Sequence, residues 1–316
     1  MSDEIAPPDG FQIGHWTNLE GLTGCTAVLA PPGSRAGVDV RGGGPGTRET
    51  DVIGPLAGAA EISGVVLSGG SAFGLAAADG AMRWLEERGR GYATPGGVVP
   101  IVPAAIIYDL VAGDSTARPD ADAGYAACGA AAPGIPERGR VGAGTGAAVG
   151  KILGRARAEP GGIGYAAARS GLGMTVAAIA VSNSFGDVLD EHGGVLAGVR
   201  NDRGETLSTA SILAEMAEAP DWTRVEELNT TLVCVMTDAP LDKPTCTRVA
   251  RMASGGVARA VDPVFSSVDG DVAFCVASGE LTGPQSRFVS VAIGSLAATV
   301  TAAAIRDSVR AHDAGS

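Results

Sequence analysis

Residues 226–239 read EELNTTLVCVMTDA, and the side chains change from acidic to apolar at Asn229-Thr230. The run that starts at Thr230 is continuous and rich in β-branched residues, which is typical of a strand buried on both faces. The residues before it, 199–228, are polar and mixed, and we expect an exposed linker there. The simplest interpretation is that a linker ends and a core strand begins at this junction.

Apolar runs and helical patterns alternate on both sides of this strand. We expect further strands at 25–30, 35–40 (joined by the turn PPGS), 62–67, 174–182 and 270–277, a hairpin over 187–198, and helices over 72–87, 244–261 and 284–311. A polar loop is predicted over 113–124, and two glycine-rich loops over 41–51 and 141–151. This mixture of strands and helices favours an α/β layered sandwich.

The composition is light and poor in aromatic rings. The 316 residues include 48 glycines and 13 aromatic residues, and 45% of the chain is apolar. That apolar share is normal for a globular chain and excludes wholesale disorder. A core is therefore predicted in which Ala, Val, Leu and Ile pack closely around few rings.

Charge and cysteine spacing limit the partners and the compartment. The net charge is −12 and no basic run with interleaved aromatic residues occurs, so we expect no nucleic-acid partner. Five widely spaced cysteines form no C-x-x-C pair, and residues 1–10 lack the apolar core of a signal peptide, so we expect reduced thiols and a cytoplasmic location. Residues 288–305 carry no charge but four hydroxyl groups, and we predict a buried core helix rather than a membrane span.

Several common active-site motifs fail in this sequence. A dinucleotide-binding pattern in the 141–151 loop fails at Ala147, a P-loop fails at Thr145, and a serine-hydrolase elbow around Ser71 fails at Phe73. The three histidines give little material for a catalytic triad or a metal site. Any enzyme chemistry must therefore work without histidine or a bound nucleotide, and we expect no metal and no cofactor.

The junction at Asn229-Thr230 admits a second interpretation, an internal N-terminal nucleophile. In that chemistry the hydroxyl of Thr230 attacks the carbonyl of Asn229, and hydrolysis of the resulting ester frees Thr230 as a new N-terminus. The freed α-amine has a reference pKa of about 7.7–8.0 and can act as the base. From these residues alone, an ordinary strand start remains the preferred interpretation.

Seven motifs, taken in order, resemble the self-cleaving aminopeptidase family, which includes L-aminopeptidase/D-esterases, β-peptidyl aminopeptidases and nylon-oligomer hydrolases (endo-type 6-aminohexanoate-oligomer hydrolases). They are TGCTAVLAPPGSRAGVDVRGGGPGTRETD, LSGGSAFGLAAADG, IIYDL, GAGTGAAVGK, VSNSFGDVLD, NTTLVCVMTDA and DGDVAFCVASG. The resemblance extends from about Gly14 to Arg310. The aminopeptidases usually cleave at Gly-Ser, whereas Asn229-Thr230 matches the nylon-oligomer hydrolases.

The resemblance implies a four-layer αββα sandwich of the N-terminal-nucleophile type. It implies a single hydrolase domain, 1–316, cleaved between Asn229 and Thr230 into chains of 229 and 87 residues. It further implies hydrolysis of short linear amides, namely peptides, β-peptides or 6-aminohexanoate oligomers, by a homotetramer of processed units.

Further site residues follow from matching motif positions. Lys151 matches a catalytic lysine that helps to deprotonate or orient Thr230, and Asn183 matches an amide that donates to the oxyanion. Asp269 and Asp271 match an acidic pair that holds the Thr230 amine or Lys151. Tyr108 matches a tyrosine that contacts substrate or oxyanion. Without the resemblance, these five residues would be interpreted as a surface lysine, a turn asparagine, two solvated acids and a core tyrosine.

Two rival functions stay open at this point. An ornithine/glutamate N-acetyltransferase resembles this family in fold and in a strand that begins with Thr. The two glycine loops argue against this function. A non-catalytic protein that keeps the fold is the other rival, and the intact set of candidate nucleophile, lysine and acids argues against it.

Overall fold

The computed structural model describes residues 5–59, 61–217, 229–283 and 286–311. The helices are α1 Ala77–Glu86, α2 Ala121–Gly129, α3 Thr209–Glu215, α4 Lys243–Val257 and α5 Arg287–Arg310, with 3-10 turns at Ser71–Ala76, Gly142–Gly144 and Arg155–Arg157. The strands are β1 Gln12–Asn18, β2 Thr23–Leu29, β3 Arg35–Val40, β4 Thr47–Arg48, β5 Gly64–Ser68, β6 Tyr92–Thr94, β7 Gly97–Val99, β8 Ala104–Ile106, β9 Ala148–Val149, β10 Glu159–Pro160, β11 Gly162–Arg169, β12 Thr175–Asn183, β13 Asp187–Leu189, β14 Val195–Ala197, β15 Thr230–Thr237, β16 Val261–Asp262 and β17 Val272–Ala277.

Two five-stranded sheets form the centre of the molecule. The strand order is β1-β2-β5-β8-β4 in the first sheet and β11-β12-β15-β17-β3 in the second. Neighbouring strands are antiparallel, except that β5 runs parallel to β8 and β15 runs parallel to β17. In the second sheet, β15 lies in the middle, between β12 and β17.

Three apolar cores separate four layers. One core lies between helices α1 and α2 and the first sheet, the second lies between the two sheets, and the third lies between the second sheet and helices α4 and α5. The predicted αββα sandwich is therefore confirmed. Small residues allow the close packing: a Cβ at Gly80 of α1 would lie 1.7 Å from the backbone oxygen of Ala121 in α2.

Strand β15 is buried on both faces, as its continuous apolar run predicts. Leu232 and Cys234 point into the core between the sheets, and Val233 and Val235 point towards the helices. Because side chains alternate along a strand, Thr230 lies on the same face as Leu232, towards the other sheet.

Helix α5 packs against β11, β12 and α4. Among the described residues it is the one helix with the length and apolar composition of a membrane span, and half of its most apolar 18-residue window is buried inside the molecule. Its inward face fills the third core, as predicted for a core helix. On its outward face, Phe288 and Val291 are 69% and 62% exposed.

Some local predictions are wrong or incomplete. The strands at 25–30 and 35–40 belong to different sheets, so the PPGS turn connects the sheets rather than two paired strands. Strands β1 and β11 were not predicted, and the polar loop at 113–124 runs into α2. The predicted linker at 199–228 contains α3, and its part from 218 to 228 lies outside the described residues.

Candidate active site

Thr230 and Asn183 face each other at the end of the second sheet. The antiparallel register of β12 and β15 pairs these two residues directly. Thr230 is 3% exposed and Asn183 is fully buried. Side chains at such paired positions lie within contact distance on one face, so the register itself brings the predicted nucleophile and the predicted amide donor together.

The peptide bond before Thr230 is held in a defined geometry. The Thr230 Oγ1 lies 2.5 Å from the carbonyl oxygen of Asn229, and the N–H of Gly270 donates to the same oxygen at 2.7 Å. The N–H of Asn229 donates to Val268 O at 3.1 Å. The hydroxyl thus sits beside the carbonyl that self-cleavage would attack.

A chain of buried hydrogen bonds links Lys151 to Tyr108 through Asn183. The Lys151 Nζ donates to both the backbone O and the Oδ1 of Asn183, each at 3.0 Å, and the N–H of Ala148 also donates to that Oδ1 at 3.1 Å. The Asn183 Nδ2 in turn donates to the backbone carbonyl of Tyr108 at 3.2 Å. Lys151 is only 6% exposed, so it is not a surface lysine.

Asp269 and Asp271 are buried on either side of Gly270. Asp269 accepts from the N–H of Phe185 and from the N–H and hydroxyl of Ser266, while Asp271 accepts from the N–H groups of Thr231 and Phe265. Their exposures of 1% and 2% show that the alternative of two solvated acids is wrong.

Burial raises the pKa of both carboxyls. The pKa of Asp271 rises to about 7, because burial disfavours its charged form and the charge of Asp269 adds to the effect. The pKa of Asp269 is also raised by burial, while its hydrogen bonds and the positive charge of Lys151 act in the opposite direction. One carboxyl of the pair can therefore hold a proton near neutral pH.

The first glycine loop packs directly on the 269–271 turn. A Cβ at Gly42 would lie 2.3 Å from both Asp269 O and Asp271 N, and the N–H of Gly44 donates to Asp269 O at 2.8 Å. Glycine at position 42 lets one backbone approach the other. The loop thus supports the acidic turn and, through it, Gly270.

The second glycine loop positions Lys151 in the site. Gly150 has φ +72°, and a Cβ there would lie 2.2 Å from the nitrogen of Val199. The N–H of Gly150 donates to Gly186 O at 3.1 Å, and the N–H of Lys151 donates to Phe185 O at 3.0 Å. Both bonds fix the Lys151 backbone to the segment that follows Asn183.

Two supporting residues were missed in the sequence. Asp109, next to Tyr108, is 2% exposed and accepts from the hydroxyl of Thr23 at 2.7 Å and from the N–H of Gly70 at 2.6 Å. Ser266 holds Asp269 through two hydrogen bonds. The IIYDL motif contains Asp109, but nothing in the sequence indicates that its carboxylate is buried.

The structure therefore brings six of the predicted residues into one buried cluster, and Tyr108 joins it through its backbone carbonyl. The six are Asn229, Thr230, Lys151, Asn183, Asp269 and Asp271. The cluster combines a hydroxyl aimed at a carbonyl, an ammonium group, an amide and two acids, which suits acyl transfer from an amide. The individual roles of these residues stay predictions.

Comparisons with known proteins agree with this chemistry. Residues 3–313 match the model of peptidase family S58. A protein of Mycobacterium leprae named as an uncharacterized aminopeptidase is 40% identical over 316 residues, covering 95% of this chain and 85% of the relative. A 6-aminohexanoate-oligomer endohydrolase of Kocuria sp. is 31% identical over 281 residues, covering 87% of this chain and 75% of the relative.

A solved structure shares the fold. It is the L-aminopeptidase D-Ala-esterase/amidase from Ochrobactrum anthropi, described as a variant of the Ntn-hydrolase fold, with a TM-score of 0.71 and 20% identity. The match covers 98% of this chain and 88% of that one. The chain therefore belongs to peptidase family S58, and it is an enzyme of the peptidase and amidohydrolase class.

Proposed function

We propose that this protein is a self-processing N-terminal-threonine hydrolase of short linear amides. Cleavage between Asn229 and Thr230 yields a larger chain of 229 residues and a smaller chain of 87. The single observation that supports this most directly is the distance of 2.5 Å between Thr230 Oγ1 and Asn229 O, in a buried cluster with an ammonium group and two acids.

Self-cleavage proceeds by an acyl shift. The Thr230 Oγ1 forms a bond to the carbonyl carbon of Asn229, the carbon–nitrogen bond breaks, and the hydroxyl proton ends on the released amine of Thr230. Water then hydrolyses the ester. This step leaves a carboxylate on Asn229 and restores the hydroxyl of Thr230, which is now the N-terminal residue.

Substrate hydrolysis repeats this chemistry with an external amide. The freed α-amine, with a reference pKa of about 7.7–8.0, accepts the hydroxyl proton and passes it to the leaving amine. The Nζ of Lys151 lies 3.0 Å from Asn183 Oδ1, so Lys151 orients the side-chain amide of Asn183 and adds positive charge to the site. The Asn183 Nδ2 stabilises the oxyanion of the tetrahedral intermediate, and Asp269 and Asp271 hold the ammonium groups of the site. Tyr108 contacts the substrate.

The names of two relatives support this substrate class. One is named as an aminopeptidase and another as a 6-aminohexanoate-oligomer endohydrolase, and both names describe cleavage of linear amides. We also propose a cytoplasmic homotetramer of processed units. The exposed apolar residues Phe288 and Val291 provide surface for such contacts, and light scattering of the purified protein tests the assembly.

A denaturing gel tests the processing. The wild type is expected to give bands of about 23 and about 9 kDa, in proportion to the two chain lengths, and Thr230→Ala one band of 31.3 kDa. A single full-length band in the wild type would overturn the proposal. Assaying the processed enzyme with a 6-aminohexanoate oligomer, a short peptide and acetylornithine then separates amide hydrolysis from acetyl transfer.

A further inference from the structure

The carbonyl oxygen of Asn229 accepts two hydrogen bonds, one from a group that reacts during self-cleavage and one from a group that does not. One comes from the Thr230 hydroxyl, at 2.5 Å, and the other from the backbone N–H of Gly270, at 2.7 Å. During self-cleavage the hydroxyl oxygen becomes the nucleophile and loses its proton. The Gly270 N–H takes no part in bond making, so it stays in place while negative charge develops on the oxygen.

The peptide group that carries this N–H is held rigidly. Asn229 and Asp269 form a parallel β-bridge, and the N–H of Asn229 donates to Val268 O at 3.1 Å. On the other side, the N–H of Gly44 donates to Asp269 O, the carbonyl of the same peptide group, at 2.8 Å. A donor fixed before the reaction stabilises developing charge without a reorganisation cost.

We propose that the backbone N–H of Gly270 is the oxyanion donor of the self-cleavage step. This inference rests on the proposed self-processing at Asn229-Thr230 and adds a catalytic group to it. As the Thr230 Oγ1 bonds to the carbonyl carbon, the carbonyl π electrons move to the oxygen, which Gly270 stabilises. When the carbon–nitrogen bond breaks, the electron pair on the oxygen re-forms the carbonyl double bond. The proton of the Thr230 hydroxyl passes to the Thr230 nitrogen.

The position also explains why residue 270 is a glycine. A Cβ there would lie 2.9 Å from Thr230 Oγ1 and 2.7 Å from Gly44 O. A side chain at 270 would therefore displace the nucleophile that the N–H group serves. Asn183 is placed differently, because its amide donates to the carbonyl of Tyr108, and we assign that amide to the substrate reaction.

The test replaces the Gly270 N–H by an ester oxygen and leaves every side chain unchanged. Cell-free synthesis with a suppressor tRNA places glycolic acid at position 270, which replaces the 269–270 amide by an ester. The matched control places glycolic acid at position 173, which removes an N–H that donates to Ser170 O at 3.0 Å, in the turn at the end of β12 opposite Asn183. Cleavage of each full-length chain is followed on a gel over time, and only the protease-resistant, folded fraction is scored.

We expect cleavage of the position-270 ester to slow by about 100-fold or more, the usual effect of losing one oxyanion donor. The position-173 ester should cleave within about threefold of the wild type, as expected when the catalytic donors and their supports are intact. Equal rates for the two esters would overturn the assignment to Gly270 and leave self-processing standing. If the folded wild type does not cleave at all, the proposed function fails, and the assignment fails with it.

Discussion

Asn183 lies directly opposite Thr230 in the antiparallel pairing of β12 and β15. A single register therefore sets the position of Thr230, the proposed nucleophile, relative to the side-chain amide of Asn183, whose oxygen lies 3.0 Å from Lys151 Nζ. A shift of one residue would move either side chain to the helix-facing side of the sheet. The apolar residues that follow Thr230 and precede Asn183 thus fix the site geometry as well as the core.

Replacing Asn183 by Asp should remove the side-chain hydrogen-bond donor at this position and keep the acceptor. Asp keeps an oxygen for Lys151 Nζ and for the Ala148 N–H, but it puts an oxygen where Nδ2 donates to Tyr108 O. We expect kcat for the amide substrate to fall by about 100- to 1,000-fold, as for the loss of one oxyanion donor. Steady-state kinetics on fully processed protein measure it.

Ser184→Ala is the matched control for that experiment. Ser184 is also buried, next to Asn183, and its hydroxyl donates to Gly186 O at 2.7 Å. Its loss should cost about 1 kcal/mol of stability and leave kcat close to the wild-type value. Equal kcat values for Asn183→Asp and Ser184→Ala would contradict the donor role of Asn183.

Gly42→Ala should destabilise the protein, whereas Gly44→Ala should not. A Cβ at Gly42 meets backbone atoms of Asp269 and Asp271 at 2.3 Å, while at Gly44 the nearest atom is 3.9 Å away. We expect a loss of about 1–3 kcal/mol for Gly42→Ala and less than about 0.5 kcal/mol for Gly44→Ala. Urea unfolding of both variants, made in uncleaved Thr230→Ala, measures this, and similar losses would contradict the packing of the loop.

Asp271 should make stability depend on pH. Its folded pKa is raised to about 7, and its unfolded value is about 3.9, so between these values the folded state holds a proton that the unfolded state lacks. The stabilisation is complete below pH ~4 and is lost as the pH rises through ~7. His15, whose pKa burial lowers to about 4, acts in the opposite direction between pH ~4 and ~6.5.

Comparison with Asp271→Asn cancels the contribution of His15, which is present in both proteins. In the Thr230→Ala background, the advantage of Asp over Asn at 271 should be larger at pH 5 than at pH 8, measured by urea unfolding. An advantage that is the same at both pH values would show that Asp271 titrates normally.

The five cysteines should be unreactive in the folded protein. All are buried, and burial raises the pKa of Cys128 and of Cys234 to about 12. Because the thiolate is the reactive form, Ellman's reagent should find less than one thiol per native chain and five after denaturation. Rapid modification of a thiol in the native enzyme would contradict the buried packing.

The elements that the sequence predicts best are those with strong apolar runs. Strand β15 and the strand over 174–182 were predicted because each contains an unbroken apolar run, LVCVM in the first and VAAIAV in the second. Strand β11 was missed because its sequence, GIGYAAAR, is mostly Gly and Ala, which have low strand propensity. It is a strand because β12 pairs with it and because α5, which is distant in the sequence, covers it.

The site residues also differ in how far the sequence predicts them. Thr230 could be suspected from the junction itself, but Lys151, Asn183 and the two acids were identified by resemblance. Their proximity depends on non-local pairing, between β12 and β15 and between the first glycine loop and the 269–271 turn. The proposed role of Gly270 could not be predicted from the sequence, because every residue except proline has a backbone N–H.

The central position of β15 in the second sheet has a consequence for refolding after denaturation. After cleavage, the 87-residue chain would hold β15 and β17 between strands of the larger chain, together with the helices α4 and α5. Unfolding would then separate two molecules where folding began with one. Refolding of the cleaved protein would then be bimolecular and would depend on protein concentration, whereas the uncleaved chain would assemble the sheet by itself.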